Sequence, residues 1–437
     1  MSLSALERRI TDAIAARRDE LVALTCDLIR FDTTARGVGD KARDEADLQE
    51  HLAQRLRGAG AVTDVWEPVP GEVAGQRLVP AGLGFDGFPQ MVARFAGSGG
   101  GRSLLLNGHI DVVSPEPVQE WTSGPNAPEV RGGLLYGRGA CDMKGGVAAM
   151  VVAAEVLSAQ GVRLAGDLLV NTVTDEESTG AGGVASVAHG VRADAAVVTE
   201  PTGLHVGVAF RGSTLATVTV PGRAAHATAV QPHWTEGGGV NAIDKAVTVL
   251  DALRRLRDEW RTRPDHRHPC LPPPNVMVTT MTAGQWEVSY PASARLTCHV
   301  TYLPASADEQ GCASAVQREV SQAILAAAGS DPWLAEHPPT VEWGPDCPPA
   351  EVDPDDAIVG VLKAAGDDLG HGTNVSGADF WSDAVTFNRQ ATVPTVVAGP
   401  GAVNIAHTVD EYVPVDELVA CAQAVALTAV RFCGTAS

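Results

Sequence analysis

From Leu6 to Ile29 apolar residues recur at helical spacing with charges between them, which predicts an amphipathic helix on the outside of a core. A stretch rich in Gly, Pro and Val, from Val62 to about Gln90, predicts loops and short strands. Four short apolar runs follow, each leading to acid or histidine. Leu104-Leu105-Leu106 leads into Asn107-Gly108-His109-Ile110-Asp111, and Leu168–Val173 leads into Thr174-Asp175-Glu176-Glu177. Ala195–Val198 leads into Thr199-Glu200-Pro201, and Val393–Val397 leads into Gly399-Pro400-Gly401 and, after a short loop, His407. Short β-rich runs bounded by Gly and Pro read as buried strands of a mostly parallel sheet. Helical stretches such as Lys144–Ser158, rich in Ala, Val and Met, lie between them and would flank that sheet. Open α/β sheets bind ligands at the carboxyl ends of their strands. Four runs that bring Asp, Glu or His to one edge therefore point to a single site.

The pattern changes in the middle of the chain. Phe210–Val220, Asn275–Thr282 and Ala294–Leu303 are strand-like, Gly239–Glu259 has the spacing of a strong amphipathic helix, and Pro264–Pro274 reads as a Pro- and His-rich loop. This predicts a smaller α+β domain over residues 207–327, inserted between two parts of a catalytic α/β domain, residues 1–206 and 328–437.

Composition narrows the function. With 437 residues, 45% apolar and 19% charged, the chain is globular rather than disordered. A formal net charge of -21 argues against a nucleic-acid partner, and bound cations would offset part of it. Charges arrive by Glu7-Arg8-Arg9, too early for a signal peptide, and no apolar run is long enough to span a bilayer. The eight cysteines are scattered with no C-x-x-C pair, as expected of reduced thiols in a cytoplasmic protein.

Several short motifs carry chemistry. In His109-Ile110-Asp111, residues two apart on a strand share a face, so the Asp can orient a metal-bound imidazole through its other nitrogen. Glycines around Asp142, in Gly137–Gly146, present a lone carboxylate that can bridge two cations; the same segment also reads as a tight turn capped by Asp142. Adjacent carboxylates in Asp175-Glu176-Glu177 repel unless a positive charge sits among them, and a metal ion is the obvious one. One Glu can then bind metal while its neighbour accepts a proton from water. Glu200 and His407 add donors of the kind zinc prefers. Gly180–Ala185 imitates a dinucleotide fingerprint, but the acidic triplet stands where pyrophosphate would approach.

Together, His109-Ile110-Asp111, Gly137–Gly146, Asp175-Glu176-Glu177, Thr199-Glu200-Pro201 and Ala406–Glu411 resemble a family of co-catalytic metallohydrolases. Its members include the aminoacylases, acetylornithine deacetylases, succinyl-diaminopimelate desuccinylases and carboxypeptidases G. The resemblance spans nearly the whole chain with the motifs in order. It implies two divalent metal ions, zinc with cobalt or manganese as alternatives. His109, Asp142 and Glu200 would hold one ion, and Asp142, Glu177 and His407 the other. Asp111 would orient His109, Glu176 would be the general base and acid, and the Asp142-Met143 peptide bond would be cis. The inserted domain would be ferredoxin-like and would pair two subunits into a homodimer. Gly222–Ala227 resembles the segment whose histidine, here His226, stabilises the oxyanion, and Asn241 matches a position near the substrate. The implied activity is hydrolysis of an amide in a small N-acylated amino acid or related amine, with a dipeptidase or carboxypeptidase as the alternative.

One departure bears on the substrate. Many such proteins carry an arginine near the end of the inserted domain, in a strand leading to Leu-Pro. Here the strand reads Thr297–Pro304 with Thr301 where that arginine is expected. A bidentate arginine is the favoured grip on a carboxylate. Arg211 or Arg295 would have to substitute, or the substrate lacks that carboxylate.

Overall fold

In the computed structural model, which describes residues 3–436, the N-terminal amphipathic stretch forms two helices, α1 (Ala5–Ala16) and α2 (Arg18–Arg30). Ser4 and Glu7 close a reciprocal capping box at the start of α1. The single helix expected from the periodicity breaks at Arg17, whose backbone leaves helical angles (φ -96°, ψ 17°). Its guanidinium is held there by Glu20 and Glu155, each at 2.7 Å.

The chain then lays down β1 (Val62–Trp66), β2 (Gln90–Phe95), β3 (Leu104–His109), helix α3 (Gly145–Ala159), β4 (Leu168–Val173), helix α4 (Ala181–Ala188) and β5 (Ala195–Pro201). A second unit follows, with β6 (Gly212–Pro221), helix α5 (Ala242–Trp260), β7 (Asn275–Ala283), β8 (Ser293–Tyr302), helix α6 (Ser314–Gly329) and β9 (Thr340–Cys347). The chain returns through β10 (Thr395–Gly399) and ends with helix α7 (Val415–Cys433). Contacts divide it into a first unit, comprising residues up to Ala209, Glu351–Ala378 and those from Ser382 onward, and a second of Phe210–Ala350 with Asp379–Trp381.

The first unit is built on a nine-stranded sheet whose path includes β1-β2-β4-β3-β5-β10. The four runs singled out above are neighbours, and β4, β3, β5 and β10 pair in parallel. Their carboxyl ends therefore lie along one edge. The outer pairs β1–β2 and β2–β4 are antiparallel. Helix α3 is apolar apart from Glu155 and Ser158 near its end and is buried along almost its entire length. Gly146 lets its first turn approach β5: a Cβ there would lie 2.1 Å from the Thr199 carbonyl oxygen, next to Glu200. The Gly-rich start of α4 has the same use. A Cβ at Gly182 would lie 1.8 Å from the Thr174 carbonyl oxygen, so this glycine run packs a helix onto a strand end rather than cradling phosphate. Among the described residues no helix is long and apolar enough to cross a membrane.

The second unit carries a four-stranded antiparallel sheet in the order β7-β8-β6-β9. Chain order βαββαβ with this pairing is the ferredoxin-like arrangement. Ala216, Val218, Leu296, Cys298 and Val300 face a core completed by Val249, Leu253, Trp260, Val320 and Ile324 of α5 and α6. The unit runs past residue 327 to Ala350 because β9 pairs with β6. In that strand Val341 and Trp343 alternate with polar neighbours and pack on the core, but Gly344 and Pro345 cut the alternation short.

Candidate metal centre

His109 is the last residue of β3 and is 1% exposed. Its Nε2 lies 3.1 Å from Asp142 Oδ1 and 3.8 Å from Glu200 Oε1. His407 reaches the other oxygen of the same carboxylate: its Nε2 lies 3.3 Å from Asp142 Oδ2 and 3.2 Å from Glu177 Oε2. Asp142 thus presents one oxygen to each imidazole. The donors fall into two sets that share it, His109 with Glu200 and His407 with Glu177. Among the described residues, His109, Asp142 and Glu177 offer ligand atoms all within 4.8 Å of one another. Two imidazoles and several carboxylates at these spacings suit divalent cations of the zinc type.

Each part is fixed from behind. The irregular turn Ala140–Lys144 carries Asp142, and the Asp142-Met143 bond is cis. The fully buried Glu411 carboxylate accepts the amide hydrogens of Cys141 (2.9 Å) and Asp142 (3.0 Å) and pairs with Arg138 at 2.5 Å. Lys144 is buried and donates to the Phe31 carbonyl at 2.9 Å.

Asp111 meets His109 through its main chain more closely than through its side chain. The strand ends at His109, so the alternation that would align the two side chains does not extend to Asp111. His109 Nδ1 lies 2.8 Å from the Asp111 main-chain carbonyl and 3.8 Å from its carboxylate. The carbonyl orients the ring. The carboxylate instead accepts the amide hydrogens of Glu176 (3.2 Å) and Glu177 (3.0 Å). It ties the end of β3 to the acidic turn after β4.

Burial and mutual repulsion perturb the carboxylates of the site, and the carboxylates in turn favour charge on its imidazoles. Burial first, then the charges of Glu200, Asp383 and Glu177 against the pull of His109, push Glu176 well above the ordinary carboxylate range. Burial and the neighbouring Asp142 and Glu177 push Glu200 up as well. Burial raises Asp111 to about 7. Hydrogen bonds to Asp142 and Glu177 raise His407 to about 10. Burial opposes charge on His109, but Asp142, Glu200 and Glu176 outweigh it and raise that group too. Carboxylates packed this closely favour a cation among them.

Sequence reasoning missed several supporting residues. Arg138 and Glu411 are one pair, and Glu411 was legible only as a neighbour of His407. Asp383 is a buried carboxylate whose Oδ1 would meet a Cβ at Gly183 at 2.1 Å, and burial raises it to about 7. Arg36, paired with Asp175, is a third.

The residues expected near the substrate lie in the second unit. His226 is exposed on the two-residue strand Ala225–His226, which pairs with Ser289–Tyr290, and its Nδ1 lies 3.0 Å from the Thr228 hydroxyl. Asn241 caps α5, its Oδ1 accepting the Ile243 amide at 3.0 Å. Arg295 is exposed and lines a cavity of about 530 Å³ with Trp286 and Tyr290. Arg211 is buried. It donates to Thr301 Oγ1 (3.1 Å) and the carbonyls of Pro272 (2.7 Å) and Pro273 (3.0 Å), and pairs with Asp379 at 2.8 Å. These partners occupy its fork, which argues against Arg211 as a carboxylate grip.

Residues 105–431 match the family described as peptidase family M20/M25/M40. The chain is 28% identical over 438 residues to the N-formyl-4-amino-5-aminomethyl-2-methylpyrimidine deformylase of Halalkalibacterium halodurans, covering 95% of each. It is 30% identical over 386 residues to the succinyl-diaminopimelate desuccinylase of Variovorax paradoxus, covering 86% of this chain and 90% of that one. The fold is shared with the YXEP protein of Bacillus subtilis, a dinuclear metal binding peptidase (TM-score 0.64, 15% identity, 97% and 100% of the two chains).

Proposed function

The chain belongs to peptidase family M20/M25/M40, and on that premise we propose that it is a di-metal amidohydrolase that removes a short acyl group from a small amine. The observation that carries this is the Asp142 carboxylate, with one oxygen against His109 and the other against His407. His109, Asp142 and Glu200 would hold one divalent ion and Asp142, Glu177 and His407 the other, zinc by donor chemistry with cobalt or manganese as alternatives. When bound, such ions supply Lewis-acid polarisation of a carbonyl and lower the pKa of water.

The chain's own groups do the rest. Glu176, buried at the edge where the ligands meet, takes a proton from the attacking water and delivers it to the departing nitrogen. Water and amide become a carboxylic acid and an amine. Asp111 holds the Glu176 and Glu177 amides, so base and ligand keep one relative position. His226 is the candidate donor to the oxyanion. Asn241 and Arg295 remain candidates for substrate contact.

Deacylation is favoured over peptide cleavage because the deformylase and the desuccinylase described above, each aligned with most of the chain, are named for removing acyl groups, formyl and succinyl. Thr301 and the engaged Arg211 favour an amine without the carboxylate that an arginine would grip, such as an aminomethyl-substituted heteroaromatic ring. Eight free thiols support a reducing, cytoplasmic location, and the ferredoxin-like unit supports a homodimer. The test is hydrolysis of N-formyl, N-acetyl, N-succinyl and N-carbamoyl amino acids, the N-formyl aminomethylpyrimidine and dipeptides. Turnover of formyl amines lacking a carboxylate is expected to exceed the rest. Preference for dipeptides would overturn the deacylase reading and keep the metal chemistry.

A further inference from the structure

Arg36 lies outside the residues that match the family, in a segment with no motif of its own. Its guanidinium is nevertheless buried and holds both oxygens of a buried Asp175, Nε to Oδ1 at 2.8 Å and Nη2 to Oδ2 at 2.7 Å. The same guanidinium stacks on the Phe88 ring, 3.3 Å from its centroid. Asp175 is the residue before Glu176, and its backbone is left-handed, φ 63°. That conformation is uncommon for a residue with a Cβ, though Asp tolerates it better than most, and its surroundings hold it there. The Asp175 carbonyl accepts the amides of Thr179 (3.2 Å) and Gly180 (2.7 Å), which closes the acidic turn on its far side.

The arginine is itself anchored to the other half of the site. Ala35 donates to the Val112 carbonyl (2.7 Å), Val112 to the Thr33 carbonyl (3.0 Å), and the Thr33 hydroxyl to the Ile110 carbonyl (2.6 Å). Asp111, inside that same segment, accepts the amides of Glu176 and Glu177. Segments 33–36, 110–112 and 175–177 thus form a closed circuit of hydrogen bonds around the proposed base.

We infer that Arg36 is a positioning residue for Glu176, acting through Asp175. A planar fork on both Asp175 oxygens fixes that side chain and, with it, the peptide plane that enters Glu176. A lysine keeps the charge and loses the fork. The inference rests on Glu176 being the general base.

The test is kcat, KM, bound metal and thermal unfolding for Arg36→Lys, Asp175→Asn, the double variant and Glu176→Ala. Arg36→Lys and Asp175→Asn are each expected to lower kcat roughly 10- to 100-fold with KM nearly unchanged. Metal content is expected to hold, and the double variant to lose no more than the worse single one. Should Asp175→Asn not fold, Arg36→Lys is compared with Phe88→Leu, which keeps the fork; the lysine variant must lose more kcat. Wild-type kcat per folded molecule in Arg36→Lys would overturn the inference, whatever the loss of melting temperature. Loss of metal in step with kcat would overturn it too, since the arginine would then act on the ligand Glu177. If Glu176→Ala keeps turnover, the general-base reading itself fails; if it is inactive while Arg36→Lys is wild type, only the role of Arg36 falls.

Discussion

At the carboxyl ends of β3, β4 and β5 the groups of interest are mostly buried and held from behind, whereas on the ferredoxin-like unit the residues of interest sit apart and face different partners. Asp142 is held by Glu411, the Glu176 and Glu177 amides by Asp111, and Asp175 by Arg36. By contrast His226 and Arg295 are exposed, Asn241 caps a helix and Arg211 bonds its own surroundings. Metal chemistry demands fixed donor geometry, and backbone amides held by buried carboxylates provide it. Substrate choice varies with loops and side chains on a scaffold that need not change.

The sharpest way to break this contrast is Asp142→Asn. Removing charge from the carboxylate that faces both imidazoles is expected to abolish turnover and stoichiometric metal together, read by elemental analysis and assay. Retention of both ions would deny Asp142 its shared role. Next in size is His226→Ala, expected to lower kcat by roughly 10²- to 10³-fold with metal content unchanged. An unaffected kcat would leave the second unit without a part in the chemistry.

Glu411→Gln breaks a pair whose side chains are 3% and 0% exposed. It is expected to cost about 3–5 kcal/mol, because Arg138 is left buried without its countercharge. Metal affinity should fall by roughly 10- to 100-fold through Asp142. Denaturant unfolding and a metal titration check the two effects. Arg211→Ala is expected to destabilise by about 1–3 kcal/mol through the stranded carbonyls of Pro272 and Pro273. KM should stay nearly constant, and a large rise in KM would return Arg211 to the substrate.

The smallest expected effect lies at the surface of the first unit. Hydrogen bonding to Arg17, with Arg55 adding to it, holds Glu20 at about 2 against an ordinary 4.5. The folded value lies below the unfolded one, so the contribution is present above the ordinary value and is lost as pH falls towards about 2. The melting temperature of wild type minus that of Glu20→Gln should therefore shrink across that window. A constant difference would show that the Arg17–Glu20 pair contributes nothing to folding.

What was legible in sequence follows the same division. Buried parallel strands write themselves as apolar runs, so His109, Glu177 and Glu200 stand out as candidates beside them, whereas Asp142, in an irregular turn, and His407, in a loop, depended on the resemblance to a family. Arg36 could not, since its partner lies 139 residues away and a buried arginine looks like any other. The break at Arg17 depends on Glu155, far along the chain. Strand β9 escaped because Gly344 and Pro345 break the short alternation of Val341 and Trp343, where its pairing with β6 also shifts register. The hold of Asp111 on the Glu176 and Glu177 amides was not legible either, because it joins residues 65 and 66 positions apart.

The most direct measurement is the metal-to-protein ratio together with turnover, in wild type and Glu176→Ala, across the acyl-amine and dipeptide panel. About two ions per chain in both proteins, with turnover in the wild type and none in the variant, is the expected result. A wild type with no stoichiometric metal, or a variant as active as the wild type, would contradict the di-metal, glutamate-assisted hydrolysis set out above.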